Sequence, residues 1–332
     1  MKRTAALMLL TGVALFTAVL AWQGLPAIGH ALSVAGWGLA AVTAWHLLPL
    51  VIDSHAWRIL YRPPRPGLPR IVWARWIGES INGLLPVAQI GGDIAKARLL
   101  IKQGLAAAET GATVVVDITL AALTQMLFGM LGLVLLLILI DKPDIAWGVA
   151  VGIGVMLALL ALFYRLQRGG LFGALAVLVK RIGGGRAWLD FVGGAQSLDA
   201  AISAIYARPW TAVRALGWRW IGWVAGIGEV WLGLYFLGHP VGLADAVMLE
   251  ALGQAIRGAA FAIPGALGVQ EGGFVLLAGL IGLNPQIGLA LSLVKRVREL
   301  GLGIPGLVAW QWAEGRLLER PRRSPAATPR HS

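Results

Sequence analysis

The sequence predicts an all-α polytopic membrane protein, with about seven or eight transmembrane helices plus one or two re-entrant or broken segments. Hydrophobic residues make up 58% of the chain, charged residues make up 13%, and the mean hydropathy is +0.76. A soluble domain is about 45–50% apolar and about 25% charged. A water-soluble fold of this length could not bury so much apolar surface, so lipid must be the solvent for much of the chain.

The net charge of +12 lies in the gaps between the apolar runs. Basic residues cluster at positions 2–3, 58–75, 96–102, 165–219 and 316–330. This distribution is typical of cytoplasmic loops, which also attract anionic lipid headgroups. No helix-turn-helix or aromatic RNA-binding signature accompanies the charge, so we expect no nucleic-acid partner. The absence of cysteine from the sequence excludes disulfides and thiolate chemistry.

The first apolar run, residues 5–22, follows two basic residues, as a secretory signal would. Because more spans follow, we interpret it as an uncleaved first helix that starts in the cytoplasm. The next run, residues 35–52, leads into a segment rich in arginine and proline, residues 55–76, that suits the membrane interface.

Further spans are predicted at residues 114–140, 145–164 and 218–237. The apolar pieces of the basic insertion, residues 165–217, are too short to cross a core of about 30 Å, which predicts that they lie on the cytoplasmic surface.

The last third is ambiguous from charge alone. A helical run at residues 241–262 carries three polar residues, and shorter apolar runs follow at 274–283, 287–294 and 300–312. The stretch "KRVRE" between the last two runs either forms an inner loop or lines a wet interior. We interpret residues 1–313 as one integral-membrane domain and residues 314–332 as a disordered basic tail in the cytoplasm.

Two apolar segments contain proline, glycine and charge where a plain spanning helix would carry Leu and Val. In the first, Glu79, Pro86 and Asp93 follow one another at steps of seven residues. In the second, the residues at the same steps are Arg257, Pro264 and Glu271. The match suggests an internal repeat, although 45 glycines in 332 residues make an accidental match the alternative.

Physical chemistry explains why such segments need these residue types. In hydrocarbon an unpaired backbone group is costly, so broken helices survive only where protein or a water-filled cavity covers them. A carboxylate near mid-membrane costs about 2.5–3.5 kcal/mol even on a lenient scale, and should face a cavity or a cation. Paired segments interrupted by glycine and proline are the best sequence indicator of a transporter's binding site.

The candidate substrate-binding residues are Glu79, Asn82, Pro86, Gly91, Gly92, Asp93, Glu250, Arg257, Pro264, Gly265, Gly268, Glu271 and Gly272. Asp117, Glu229 and Glu250 are each either the buried partner of an arginine or a substrate contact. His46 and His55 are expected at the membrane interface. No HExxH, P-loop, GxSxG or Cys/His cluster occurs, so we expect no catalytic residue, metal or cofactor.

The motifs N-x-x-L-P-x-x-x-x-G-G-D at residues 82–93 and I-P-G-x-L-G-V-x-E-G at residues 263–272 resemble the flippase-like membrane domain of the lysylphosphatidylglycerol synthase family. The resemblance covers about residues 5–312. It implies a domain that moves lipids between leaflets. Full-length synthases add a soluble aminoacyl-transferase domain, which we expect to be absent here, so an enzyme is not implied. The subgroup encoded with bacterial hopanoid-biosynthesis enzymes is the most similar in size and in its opening residues.

The resemblance and the residues together favour a lipid flippase-like protein of the bacterial cytoplasmic membrane, with both termini in the cytoplasm. Its expected partners are anionic phospholipid or hopanoid. Arg257 would attract a phosphate, and Asp93 and Glu271 would bind a cationic or hydroxylated group. The second hypothesis is a non-catalytic scaffold for hopanoid- or lipid-biosynthesis enzymes, in which the glycines only pack helices closely. A third, an intramembrane enzyme, lacks a nucleophile–base pair.

Overall fold

A computed structural model describes residues 33–85, 87, 90–139, 143–168, 194–260 and 264–319. Predictions that lie outside these residues concern the first helix, Pro86, residues 169–193 of the basic insertion, and the tail from residue 320. The described residues form eleven α-helices and one short 3-10 helix, and no strand occurs among them. The all-α class is therefore confirmed.

The helices are best given in chain order. The first half contains α1 (Gly38–Trp45), α2 (Leu47–Ile59), α3 (Leu68–Leu84), α4 (Gly91–Lys102), α5 (Ala107–Leu139) and α6 (Pro143–Arg168). The second half contains α7 (Ala195–Tyr206), α8 (Pro209–Phe236), α9 (Leu243–Ala259), the 3-10 helix (Pro264–Ala266), α10 (Val269–Leu280) and α11 (Pro285–Glu319).

Among the helices described, α5 alone is both long and apolar enough to cross a bilayer by length and composition. This result does not confirm the predicted count of about seven or eight spans. Buried ions explain the difference, because long helices such as α8 and α11 carry charged residues in their interior-facing stripes. The predicted runs 287–294 and 300–312 are one continuous helix, α11, and "KRVRE" lies inside it. The predicted run 35–52 is divided between α1 and α2 at His46.

The order of helices recurs in the two halves. The helices α3, α4 and α5 have 17, 12 and 33 residues, and α9, α10 and α11 have 17, 12 and 35. The first residues of α3 and α9 are 175 apart (243 − 68), and those of α4 and α10 are 178 apart (269 − 91). The three extra residues lie in the second break, which spans 260–268, whereas the first spans 85–90. We use these offsets to name equivalent positions.

The two copies pack on each other reciprocally. Helix α3 packs against α11, and its equivalent α9 packs against α5. Helices α2 and α8, which precede the two copies, run antiparallel, since His46 contacts Glu229 and Asp53 contacts Arg219. If two equivalent helices are antiparallel, a pseudo-two-fold axis perpendicular to them relates the copies. The described residues therefore contain an inverted repeat of the kind found in membrane transporters.

The surface and the interior are reversed relative to a soluble protein. Ile138 and Leu276 are each 71% exposed, whereas Asp117 and Glu250 are each 2% exposed. Outward apolar side chains match a lipid solvent, and buried ions must then find partners inside the helix bundle.

Candidate functional site

The first broken segment is a hairpin of two helices, α3 and α4. Its closest point is the pair Gly78 and Gly92, where a Cβ on Gly78 would lie 2.9 Å from the carbonyl oxygen of Gly92. The backbone N–H of Gly92 donates to Asn82 Oδ1 at 2.7 Å, and Asn82 Nδ2 donates to Asp93 Oδ2 at 3.4 Å. Helix α4 has 12 residues, which span about 18 Å, less than the hydrocarbon core of about 30 Å.

The second broken segment turns through residues with positive φ, Gly265 (+58°), Ala266 (+49°) and Gly268 (+78°). The Glu271 side chain accepts a hydrogen bond from the Gly268 backbone N–H at 2.6 Å, so it caps the start of α10. A Cβ on Gly265 would lie 3.4 Å from the carbonyl oxygen of Gly83, at the end of α3. The turn of the second segment therefore touches the helix end of the first.

Seven buried or half-buried ions surround Asp117. We call this set the Asp117 cluster; it consists of Asp53, Arg75, Glu79, Asp93, Lys96, Asp117 and Arg219. Asp117 Oδ1 accepts from Arg219 Nη2 at 2.6 Å, and its Oδ2 accepts from Lys96 Nζ at 3.2 Å and Arg75 Nη1 at 3.3 Å. Three cations thus converge on one carboxylate, which is how a membrane interior can hold them.

A second set of ions surrounds Lys295. We call it the Lys295 cluster; it consists of His46, Glu229, Glu250, Arg257, Glu271, Lys295, Arg296, Arg298 and Glu299. Lys295 Nζ lies 2.6 Å from Glu250 Oε2 and 3.7 Å from Glu229 Oε2. Arg298 Nη2 lies 3.2 Å from Glu229 Oε2. The stretch "KRVRE" therefore supplies four of the nine members from a single helix.

The centres of the two clusters occupy equivalent positions with reversed charge. Position 117 is equivalent to 295 (117 + 178), and position 75 is equivalent to 250 (75 + 175). In the first copy Arg75 Nη1 pairs with Asp117 Oδ2 at 3.3 Å, and in the second Glu250 Oε2 pairs with Lys295 Nζ at 2.6 Å. Each copy therefore contains one buried ion pair at the same place, with opposite polarity.

A cavity of about 230 Å³ lies between the two clusters. Its polar walls include His46, Glu79, Asn82, Gln254, Arg257 and Arg298. The His46 ring joins the clusters, since its Nδ1 contacts Glu229 and its Nε2 lies 3.9 Å from Glu79 Oε2. The cavity brings acids, guanidinium groups and amides within reach of one small polar ligand.

The structure places the predicted site residues in two groups. Glu79, Asn82 and Arg257 line the cavity, and Glu250 lies beside it, accepting a hydrogen bond from Gln254 at 2.8 Å. The remaining described candidates shape the two breaks and are not among the lining residues; they are Gly91, Gly92, Asp93, Pro264, Gly265, Gly268, Glu271 and Gly272. Pro86 lies outside the described residues.

Asp93 and Glu271 are already paired in this structure. Asp93 lies 2.6 Å from Lys96 Nζ, and Glu271 accepts from Arg296 Nε at 2.9 Å. Asp117, Glu229 and Glu250 are likewise paired with cations, so the buried-partner alternative accounts for their contacts. Their part in substrate binding stays a prediction.

Sequence reasoning missed His46, Arg298 and Glu299 as members of the site. His46 was expected at the membrane interface, but it is half-buried between Glu79 and Glu229. Arg298 and Glu299 were within reach, because four charges inside an apolar run predict a polar interior. The repeat offset of 178 residues gives a second signal, since it places this stretch opposite Asp117.

Comparison with known proteins gives one result that agrees with this architecture. No curated protein and no solved structure matches the chain. The sequence profile of the family described as "Lysylphosphatidylglycerol synthase TM region" matches residues 9–306. Because this match spans much more than half of the 332 residues, the chain belongs to the lysylphosphatidylglycerol synthase transmembrane-region family.

Proposed function

We propose that the protein is a lipid flippase-like transporter of the bacterial cytoplasmic membrane, which passes polar headgroups of anionic phospholipid or hopanoid between leaflets. The observation that supports this most is a charged cavity of about 230 Å³ inside a helix bundle whose outer surface is apolar. A headgroup needs a polar path through hydrocarbon, and such a cavity at the interface of two repeats is where transporters bind substrate.

The chemistry of the cavity favours a headgroup that carries an acidic group. Arg257 and Arg298 contribute guanidinium groups, which suit a phosphate or carboxylate. The Nε atom of Arg298 is buried and has no hydrogen-bond partner among the described residues. An unpartnered buried donor costs free energy. A ligand oxygen that accepts from this atom would remove that cost.

Glu79 is the wall acid with the most freedom to change partners. Its side chain is 40% exposed, whereas those of Glu229 and Glu299 are 4% and 7% exposed. Arg75 Nε contacts it at 2.8 Å from one side only. Glu79 is therefore the group that we assign to a cationic or hydroxylated part of the headgroup.

The test is transport of a fluorescent phospholipid by the full chain in vesicles of phosphatidylethanolamine and phosphatidylglycerol, with a membrane-impermeant quencher that reports the outer leaflet. We expect Glu79→Gln to slow movement about tenfold or more, since hydrogen bonds to charged groups contribute about 1.5–3 kcal/mol. The matched control is Glu109→Gln, an acid of α5 whose partner is the Arg62 backbone N–H and which does not line the cavity. Parent protein that moves no more lipid than empty vesicles contradicts the proposal.

The same assay separates the roles of Asp93 and Glu271. We predicted that these carboxylates bind the headgroup, and Asp93→Ala or Glu271→Ala should then slow transport by lowering lipid affinity. If the two variants instead move lipid as fast as the parent, the assigned roles are wrong. The scaffold hypothesis predicts a different pattern, in which no variant transports lipid and partner enzymes still co-purify.

A further inference from the structure

The cavity lies on the pseudo-two-fold axis of the inverted repeat. Glu79 is equivalent to Gln254 (79 + 175), and Asn82 is equivalent to Arg257 (82 + 175). All four residues line the same cavity. A site that contains both members of two equivalent pairs must straddle the axis, so both copies of the repeat contribute to it.

The rest of the cavity wall is one-sided. It includes Trp76 and Gly83 of α3 and Leu302 and Gly303 of α11. The positions equivalent to Trp76 and Leu302 are Ala251 (76 + 175) and Thr124 (302 − 178), at the junction of α9 with α5. Ala251 is 1% exposed and Thr124 is 0% exposed. The cavity therefore extends between α3 and α11, whereas the equivalent junction is packed.

One side chain holds the packed junction together. Gln125 Nε2 donates to the backbone carbonyl oxygen of Gln254 at 3.1 Å. The same amide lies directly against Gly258, where any Cβ would overlap it. Gln125 is equivalent to Gly303 (303 − 178), so a glycine at the open junction is replaced by a bridging amide at the packed one.

We propose that the site has a second entrance, between α5 and α9, which the Gln125–Gln254 contact closes in this structure. The two entrances open alternately, because the copies that form them are related by an axis in the membrane plane and can exchange conformations. They face opposite leaflets. This inference rests on the proposed function, since it names the route by which the same cavity would receive and release a headgroup.

The chain lacks cysteine, so single cysteines can be introduced without a background. The probes are Leu302→Cys in the open junction and Thr124→Cys in the packed one, each in the full chain in vesicles of phosphatidylethanolamine and phosphatidylglycerol. A membrane-impermeant maleimide is supplied from one side at a time. We expect the cysteine at 302 to react from one side and the cysteine at 124 to react from the other side, more slowly.

Adding Gln125→Ala removes the closing hydrogen bond. The labelling rate at position 124 should rise about twofold to tenfold, and the rate at position 302 should fall, because one hydrogen bond shifts an equilibrium by roughly that factor. The matched control is Thr110→Cys, also 0% exposed on α5 but remote from the cavity, which should stay unreactive in both backgrounds.

Two results overturn the proposal: position 124 reacts from the same side as position 302, or it stays unlabelled from both sides when Gln125 is replaced. Labelling does not depend on lipid movement, so the two conclusions fail separately. Alternating labelling without lipid movement refutes the proposed function alone. Lipid movement without any labelling of position 124 from the opposite side refutes the second entrance alone.

Discussion

Asp117 should be among the most sensitive positions for stability, because three cations depend on it. In Asp117→Asn, Lys96 keeps Asp93 at 2.6 Å and Arg75 keeps Glu79 at 2.8 Å. Arg219 has no such reserve, since its other carboxylate contact is 3.7 Å away, at Asp53. Its guanidinium is 5% exposed and would be left nearly unpaired.

Leaving one buried charge without its partner costs about 3–5 kcal/mol, which is roughly two to four orders of magnitude in the unfolding equilibrium. We expect Asp117→Asn to lose that amount in reversible unfolding of the protein in detergent micelles, followed by tryptophan fluorescence. The control is Asp199→Asn, an exposed aspartate of α7, which should stay within about 0.5 kcal/mol of the parent.

A double variant tests the cause of that loss. Arg219→Met added to Asp117→Asn removes the orphaned charge, so the combined loss should be smaller than the sum of the two single losses by about 1–3 kcal/mol. The reasoning is refuted if Asp117→Asn unfolds like the parent, or if the two losses simply add.

Two further predictions concern backbone contact and charge. Gly92→Ala should destabilise the protein by about 1–3 kcal/mol, because its Cβ would overlap the Gly78 carbonyl, whereas Gly217→Ala, in open space on α8, should be neutral or stabilising; equal unfolding midpoints would contradict this. The pKa of His55 is lowered by partial burial and then by nearby arginines, including Arg65. Its neutral form is favoured on folding, so its contribution to stability is present above its ordinary pKa and is lost as pH falls through the lowered one. An NMR titration of the His55 ring should show a midpoint below 6.5, which Arg65→Gln should raise; an unchanged midpoint would exclude the arginine effect.

The sequence was sufficient to predict the broken segments but not their use. Glycine, proline and charge at steps of seven residues pointed to both breaks, and α3–α4 and α9–α10 contain them. Hydropathy gave a poorer count of spans, because ions inside α11 and α8 lower the apolar average while facing other helices rather than lipid.

Site membership was the harder inference. Asn82 and Arg257 were predicted and do line the cavity, since both lie one turn before a break and point to where the copies meet. His46 could not be assigned from local sequence, because its role depends on Glu79 and Glu229, which are 33 and 183 residues away. Contacts at such separations are set by tertiary packing, and one sequence does not reveal them.

The reversed polarity of Arg75–Asp117 and Glu250–Lys295 bears on how the chain is made. Each half carries its own neutralising partner for the ion at its centre, so neither half has to wait for the other before entering the bilayer. Biosynthesis can proceed half by half, with charge balance reached locally at the core of each. Co-expressed halves, divided within residues 169–193, should for the same reason find each other and rebuild the bundle.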